Sequence, residues 1–140
     1  MFKLILSALF FNYVSAVSKF TYSSCGSTSD LAQNVVMSID PVLPQTDYTL
    51  FLDYELSKDI GSGTSTYKGS LNGLPFSPST EDLCKEIANS NVTCPLKTGH
   101  ISSQSKGTIP SGVTGKILLT NEWFDSDSQR ILCMQFNILI

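Results

Sequence analysis

The sequence predicts an all-β, antiparallel sandwich, and three observations carry that prediction. Short segments alternate apolar and polar residues with the period of two that a half-buried strand shows. Turn-forming residues separate these segments at regular intervals. No segment keeps clean helical spacing over about ten residues, so sheets rather than helices must form the layers.

The strands follow in chain order. Gln33 to Ile39 is rich in β-branched residues and stops at Asp40-Pro41. Asp47 to Leu56 is the cleanest case, with Tyr48, Leu50, Leu52, Tyr54 and Leu56 on one face and Asp47, Thr49, Phe51, Asp53 and Glu55 on the other. Gly61-Ser62-Gly63 makes a turn, and Thr64 to Leu71 returns. Asn72-Gly73 is a strong hairpin signal before Leu74-Pro75-Phe76. Ser79 to Ile87 reads as one short helical turn opened by a Ser or Thr cap. Lys116 to Phe124 and Arg130 to Ile140 form a last pair across the polar turn Asp125-Ser126-Asp127-Ser128.

The first 18 residues read as a leader. Lys3 supplies a positive charge, Leu4 to Phe11 is an apolar run broken only by Ser7, and Val14-Ser15-Ala16 offers small residues for a signal peptidase. That run is shorter than the roughly 20 residues that span a bilayer. Cleavage near Ala16 or Ser18 leaves a single domain over 19–140, secreted or held in an endolysosomal lumen. The formal net charge is −3, and loss of Lys3 makes it more negative, which gives no electrostatic attraction to nucleic acid or to anionic lipid. A monomer is the expected state.

Four cysteines, Cys25, Cys84, Cys94 and Cys133, suit an oxidising compartment and allow three pairings. The nested pairing is favoured. Cys25 with Cys133 closes about 109 residues and is worth about 4.7 kcal/mol in the chain-entropy model, and Cys84 with Cys94 is worth about 3. A zinc site is the weaker alternative, because His100 is the single histidine and no cysteine pair has close metal-ligand spacing.

Catalytic readings find little support. His100 falls in Lys97-Thr98-Gly99-His100, read as a surface turn without a nucleophile motif beside it. Neither G-x-S-x-G nor H-E-x-x-H occurs, and Gly61-Ser62-Gly63 lacks a phosphate-loop lysine. Asp125 and Asp127 are read as a solvated hairpin tip rather than a calcium site, and Asp53 and Glu55 as a solvent face. No cofactor or metal is expected. Asn91-Val92-Thr93 is a glycosylation sequon and places that loop on the surface.

The ordered set Cys25-Gly26, Gly73-Leu74-Pro75-Phe76, Cys84, Cys94-Pro95-Leu96, Ile109-Pro110, Glu122-Trp123 and Cys133 resembles the ML lipid-recognition domain over nearly the whole chain after the leader. The resemblance implies an immunoglobulin-like sandwich whose sheets part around a hydrophobic cavity, the nested disulfides, and a pocket-lining role for Phe76. It also implies a non-enzymatic carrier that moves phosphatidylglycerol or phosphatidylinositol between membranes, with transient membrane contact. Sterol carriers of the family have a third disulfide where this chain has Asp40-Pro41-Val42-Leu43-Pro44, and pocket residues unmatched at Ser111 to Thr114. Both departures favour phospholipid over endolysosomal sterol transport.

The candidate lipid contacts are Val36, Leu50, Leu52, Tyr54, Phe76, Ile109, Ile117, Leu119, Met134 and Phe136, with Trp123 as further apolar material. For any one of these, ordinary core packing is the favoured role, which leaves a secreted recognition module with a solid core as the second function class. Leu74-Pro75-Phe76 and Ile109-Pro110 are the candidate rims that touch a bilayer.

Overall fold

The computed structural model describes residues 19–40, 47–108 and 114–140. The leader, Ile109 and the Ile109-Pro110 rim lie outside the described residues. Among the described residues, eight strands form two sheets. One has five strands: Lys19–Ser24 (β1), Arg130–Leu139 (β8), Lys116–Asp125 (β7), Gly63–Leu71 (β4) and Leu74–Asp82 (β5), in that spatial order. The other has three: Ala32–Asp40 (β2), Asp47–Leu56 (β3) and Gly99–Thr108 (β6). Every pairing is antiparallel, so the sandwich expected from the alternating pattern is the observed fold.

The Asn72-Gly73 hairpin forms as its residues predict. Asn72 at φ 52° and Gly73 at φ +80° both take the left-handed region that a two-residue loop needs. The disulfides are nested, Cys25 with Cys133 and Cys84 with Cys94, and no free cysteine remains among the described residues.

Several expectations need correction. The helix is Leu83–Ile87 (α1), capped by Asp82, whose carboxylate accepts from the Lys85 N–H at 3.0 Å. Residues 79–82 belong to β5, so neither Ser79 nor Thr80 caps it. His100 stands in β6 rather than in a turn, its Nε2 3.8 Å from Asp53. Asp125 is buried rather than solvated. Its Oδ1 accepts from the N–H groups of Asp127 and Gln129 at 2.9 Å each, and Lys58 lies 2.8 Å from Oδ2. Burial alone would raise its pKa, but Lys58 and the two backbone donors outweigh that and hold it below the usual carboxylate range. It organises the β7–β8 turn.

The solid core occupies one end of the sandwich. Leu31, Leu56, Ile60, Leu83, Leu96 and Ile131 are all buried there, and Ile60 and Leu96 exchange backbone hydrogen bonds that bind the loop after β3 to the chain following α1. At the same end Arg130 Nε donates to the buried Asp30 carboxylate at 2.9 Å, and its Nη1 reaches Glu122 at 3.3 Å. Truncating Arg130 leaves the buried Asp30 carboxylate with the Ser27 N–H and hydroxyl as donors and removes one charge-assisted hydrogen bond, worth about 1.5–3 kcal/mol. We expect Arg130→Ala to lower stability by about 2 kcal/mol in urea unfolding. A loss under about 0.5 kcal/mol would make the pair ornamental.

Candidate functional site

Away from the packed end the sheets enclose a hollow of about 300 Å³. The three-stranded sheet contributes Leu50, Leu52 and Tyr54 of β3, Ile39 of β2, and Ser103 and Ser105 of β6. Facing them are Leu119 and Trp123 of β7, Met134, Phe136 and Ile138 of β8, and Phe20 of β1. The flank is closed by Ile87 and Glu86 of α1 and by Val92 and Leu96 of the segment that the Cys84–Cys94 bridge ties back to the helix. Strand alternation creates this lining: cross-strand partners such as Leu119 and Phe136 share a face, and so do Phe20 and Ile138.

The floor is aromatic. Tyr54 and Trp123 meet edge-to-face with ring centroids 6.1 Å apart, a favourable quadrupole arrangement. Burial pushes the Tyr54 phenol up to about 12, so it stays neutral. Exposure grows along the strands away from this floor. In β3 the buried positions are Leu52, Tyr54 and Leu56, whereas Tyr48 and Leu50 are half-buried. In β8 the buried run reaches Phe136, and Ile138 is half-buried. The hollow therefore opens toward Tyr48, Ile39 and Lys106. The Tyr48 ring lies over Gly107 of β6, and a Cβ there would push the ring from its place at the mouth.

The candidate contacts divide. Leu50, Leu52, Tyr54, Leu119, Met134 and Phe136 line the hollow, as does Trp123. Val36 does not. Asn34 takes φ 54° and the β2–β3 register shifts between Gln33 and Val36. The bulge therefore turns Val36 outward beside Asp53, 61% exposed, and sends Met37 inward. Ile117 is half-buried beyond the lining, next to Ile138. Phe76 shares the inner face with Leu119 through Gly69, but it stands on the edge strand, 40% exposed. Its Cζ lies 2.6 Å from where a Gly69 Cβ would stand, so the ring covers the glycine instead of entering the hollow.

Sequence reasoning missed the polar part of the lining. Trp123 Nε1 donates to Asn121 Oδ1 at 3.0 Å, and Asn121 Nδ2 donates to Ser65 Oγ at 2.8 Å. Ser65 also stands near enough to Glu86 for its hydroxyl to favour the ionised carboxyl. A signal existed: Leu83, Glu86 and Ile87 share one face of a helical turn, and two of the three are apolar. Among the described residues, no group of three or more His, Cys, Asp or Glu side chains is placed to hold a metal ion.

The family model of the ML domain matches residues 19–140. This chain belongs to the ML-domain family. Two fungal phosphatidylglycerol/phosphatidylinositol transfer proteins are similar to it. That of Neurospora crassa is 33% identical over 54 residues, covering 38% of this chain and 30% of the relative. That of Aspergillus oryzae is 27% identical over 112 residues, covering 79% of this chain and 63% of the relative. The ML chain thus spans less than two thirds of either relative's length. Among solved structures, chicken MD-1 complexed with lipid IVa superposes with a TM-score of 0.66 at 18% identity, covering 89% of this chain and 94% of MD-1. A Niemann-Pick type C2 protein from Japanese carpenter ant gives 0.60, also at 18% identity, covering 84% and 96%. At such identities the likeness extends to the fold of this ML domain alone.

Proposed function

We propose that this ML-domain protein is a non-enzymatic lipid carrier that takes an acyl chain between its sheets and moves phosphatidylglycerol or phosphatidylinositol between membranes. The observation that carries the reading is the apolar hollow of about 300 Å³ beside an otherwise packed core. That volume is at the low end of small-molecule sites, roughly 300–1,000 Å³. As a closed, dry void it would cost about 7 kcal/mol at roughly 24 cal/mol per Å³, comparable to the whole net stability of a small domain. A buried acyl chain returns about 0.8 kcal/mol per methylene instead. The names of the two fungal relatives and the lipid bound to MD-1 point the same way. A solid-core recognition module leaves the hollow without a purpose.

The inner face continues past the mouth as an apolar lip. Leu71 is 39% exposed, Leu74 74% and Phe76 40%, and cross-strand pairing puts all three on the face that holds Leu119. This lip meets the bilayer during exchange. The test is transfer of fluorescent phosphatidylglycerol between vesicles. Transfer above the spontaneous rate is expected, and none at all sinks the reading. Phe76→Asp is expected to slow transfer at least fivefold while leaving lipid binding within twofold, because it wets the lip and spares the lining. Equal loss of both would place Phe76 in the binding site instead.

We further propose that residues 1–18 direct export and that Asn91 carries a glycan. Asn91 is exposed, and its Oδ1 accepts from the Gln104 N–H at 2.7 Å. Endoglycosidase should increase the gel mobility of the secreted protein, and unchanged mobility would leave Asn91 unmodified.

A further inference from the structure

Glu86 is an anomaly in an apolar lining. Its Oε2 is buried and has no hydrogen-bond partner among the described residues. The side chain is held in place from both ends. Leu83 and Ile87 anchor α1 in the core, and the Cys84–Cys94 bridge fixes the helix to the flank. On the inner side, the chain from Trp123 through Asn121 to Ser65 is fully spent. Ser65 is 0% exposed and accepts from Asn121 on its oxygen, and its hydroxyl favours the ionised form of the Glu86 carboxyl beside it. One acceptor oxygen is left over, in a hollow where each unpaired polar group costs free energy. Burial accordingly raises the Glu86 pKa, an effect that the Ser65 hydrogen bond only partly offsets.

We infer that Glu86 is a specificity-determining residue of the hollow and accepts a hydrogen bond from a hydroxyl of the bound lipid. The inference rests on the carrier reading and narrows its ligand class. A hydroxyl supplies the donor that Oε2 lacks. An ionised phosphate supplies none and is repelled by the carboxylate, so the phosphate of a phospholipid lies away from this oxygen. Two sources carry such a hydroxyl: the polyol headgroup of a phospholipid and a lipid whose single polar group is an alcohol.

Displacement of an apolar fluorescent dye at pH 8 separates them. One arm compares 1-hexadecanol with its methyl ether; the other compares phosphatidylglycerol with phosphatidic acid of the same chains. The wild type should prefer the hydroxyl-bearing member of at least one pair by about tenfold, the scale of a hydrogen bond to a charged group. The arm that shows the preference identifies the source. In Glu86→Leu that preference should fall to within twofold while the ether or phosphatidic acid still binds. Glu86→Gln keeps an oxygen for Ser65 and turns a donor toward the hollow, so the ether should gain on the alcohol. A purely structural role would not produce that reversal. Wild-type preferences retained in both variants overturn the inference and leave the carrier reading standing. No binding of any of the four probes by the wild type overturns both.

Discussion

Filling the hollow with Leu50→Trp and Leu119→Trp is expected to cut the proposed lipid transfer sharply and to leave the protein at least as stable as before. Both side chains line the apolar space, and both are partly rather than fully buried, so each indole has somewhere to go. In a packed core the same changes would force off-rotamer side chains and cost about 1–3 kcal/mol each. Here they replace absent contacts. Transfer should drop at least tenfold with the thermal midpoint unchanged or raised. A double variant that transfers normally would show that the lipid lies elsewhere. One that unfolds would show that the space is filled in the native state.

The second large effect is on stability. Removing the Cys25–Cys133 bridge with a pair of alanines frees a loop whose ends are 108 residues apart in sequence. The chain-entropy model assigns this about 4.7 kcal/mol, against about 3 for the Cys84–Cys94 bridge with its separation of 10. A small domain has only about 5–15 kcal/mol in total, so the first variant should be largely unfolded at 37 °C. The second should fold yet bind lipid poorly, because the flank carrying Glu86, Ile87 and Val92 loses its tether. Urea midpoints give the order. A smaller loss for the long loop than for the short one would contradict it.

How far the sequence reveals this architecture depends on the strand. In β3 the alternation of Tyr48, Leu50, Leu52, Tyr54 and Leu56 marks both the strand and its inner face, because one face is buried and the other wet. The ends of β4, β7 and β8 fall within a residue of expectation for the same reason. β6 is invisible to that logic. Its sequence Gly-His-Ile-Ser-Ser-Gln-Ser-Lys-Gly-Thr holds one apolar residue, yet it pairs with β3 from Gly99 to Thr108. Its backbone ladder makes it a strand, and its small serines leave room in the hollow. β1 escapes notice because its Lys19–Ser24 stretch is short and follows the leader directly.

At the site, six of the ten candidate contacts line the hollow because alternation assigns faces correctly wherever the ladder is regular. Val36 fails at a bulge, since one extra residue reverses every face beyond it. Phe76 lies on the right face but on an edge strand, a distinction that depends on strand order and not on pattern. The distance between the sheets is set by tertiary packing, and no local rule encodes it.

Native mass spectrometry of the protein purified from a secreting host tests most directly whether the hollow holds a lipid. We predict a population heavier than the polypeptide and any attached glycan by the mass of one lipid, released by organic solvent and identifiable in the extract. A bare polypeptide that also takes up nothing from phospholipid vesicles would contradict the account.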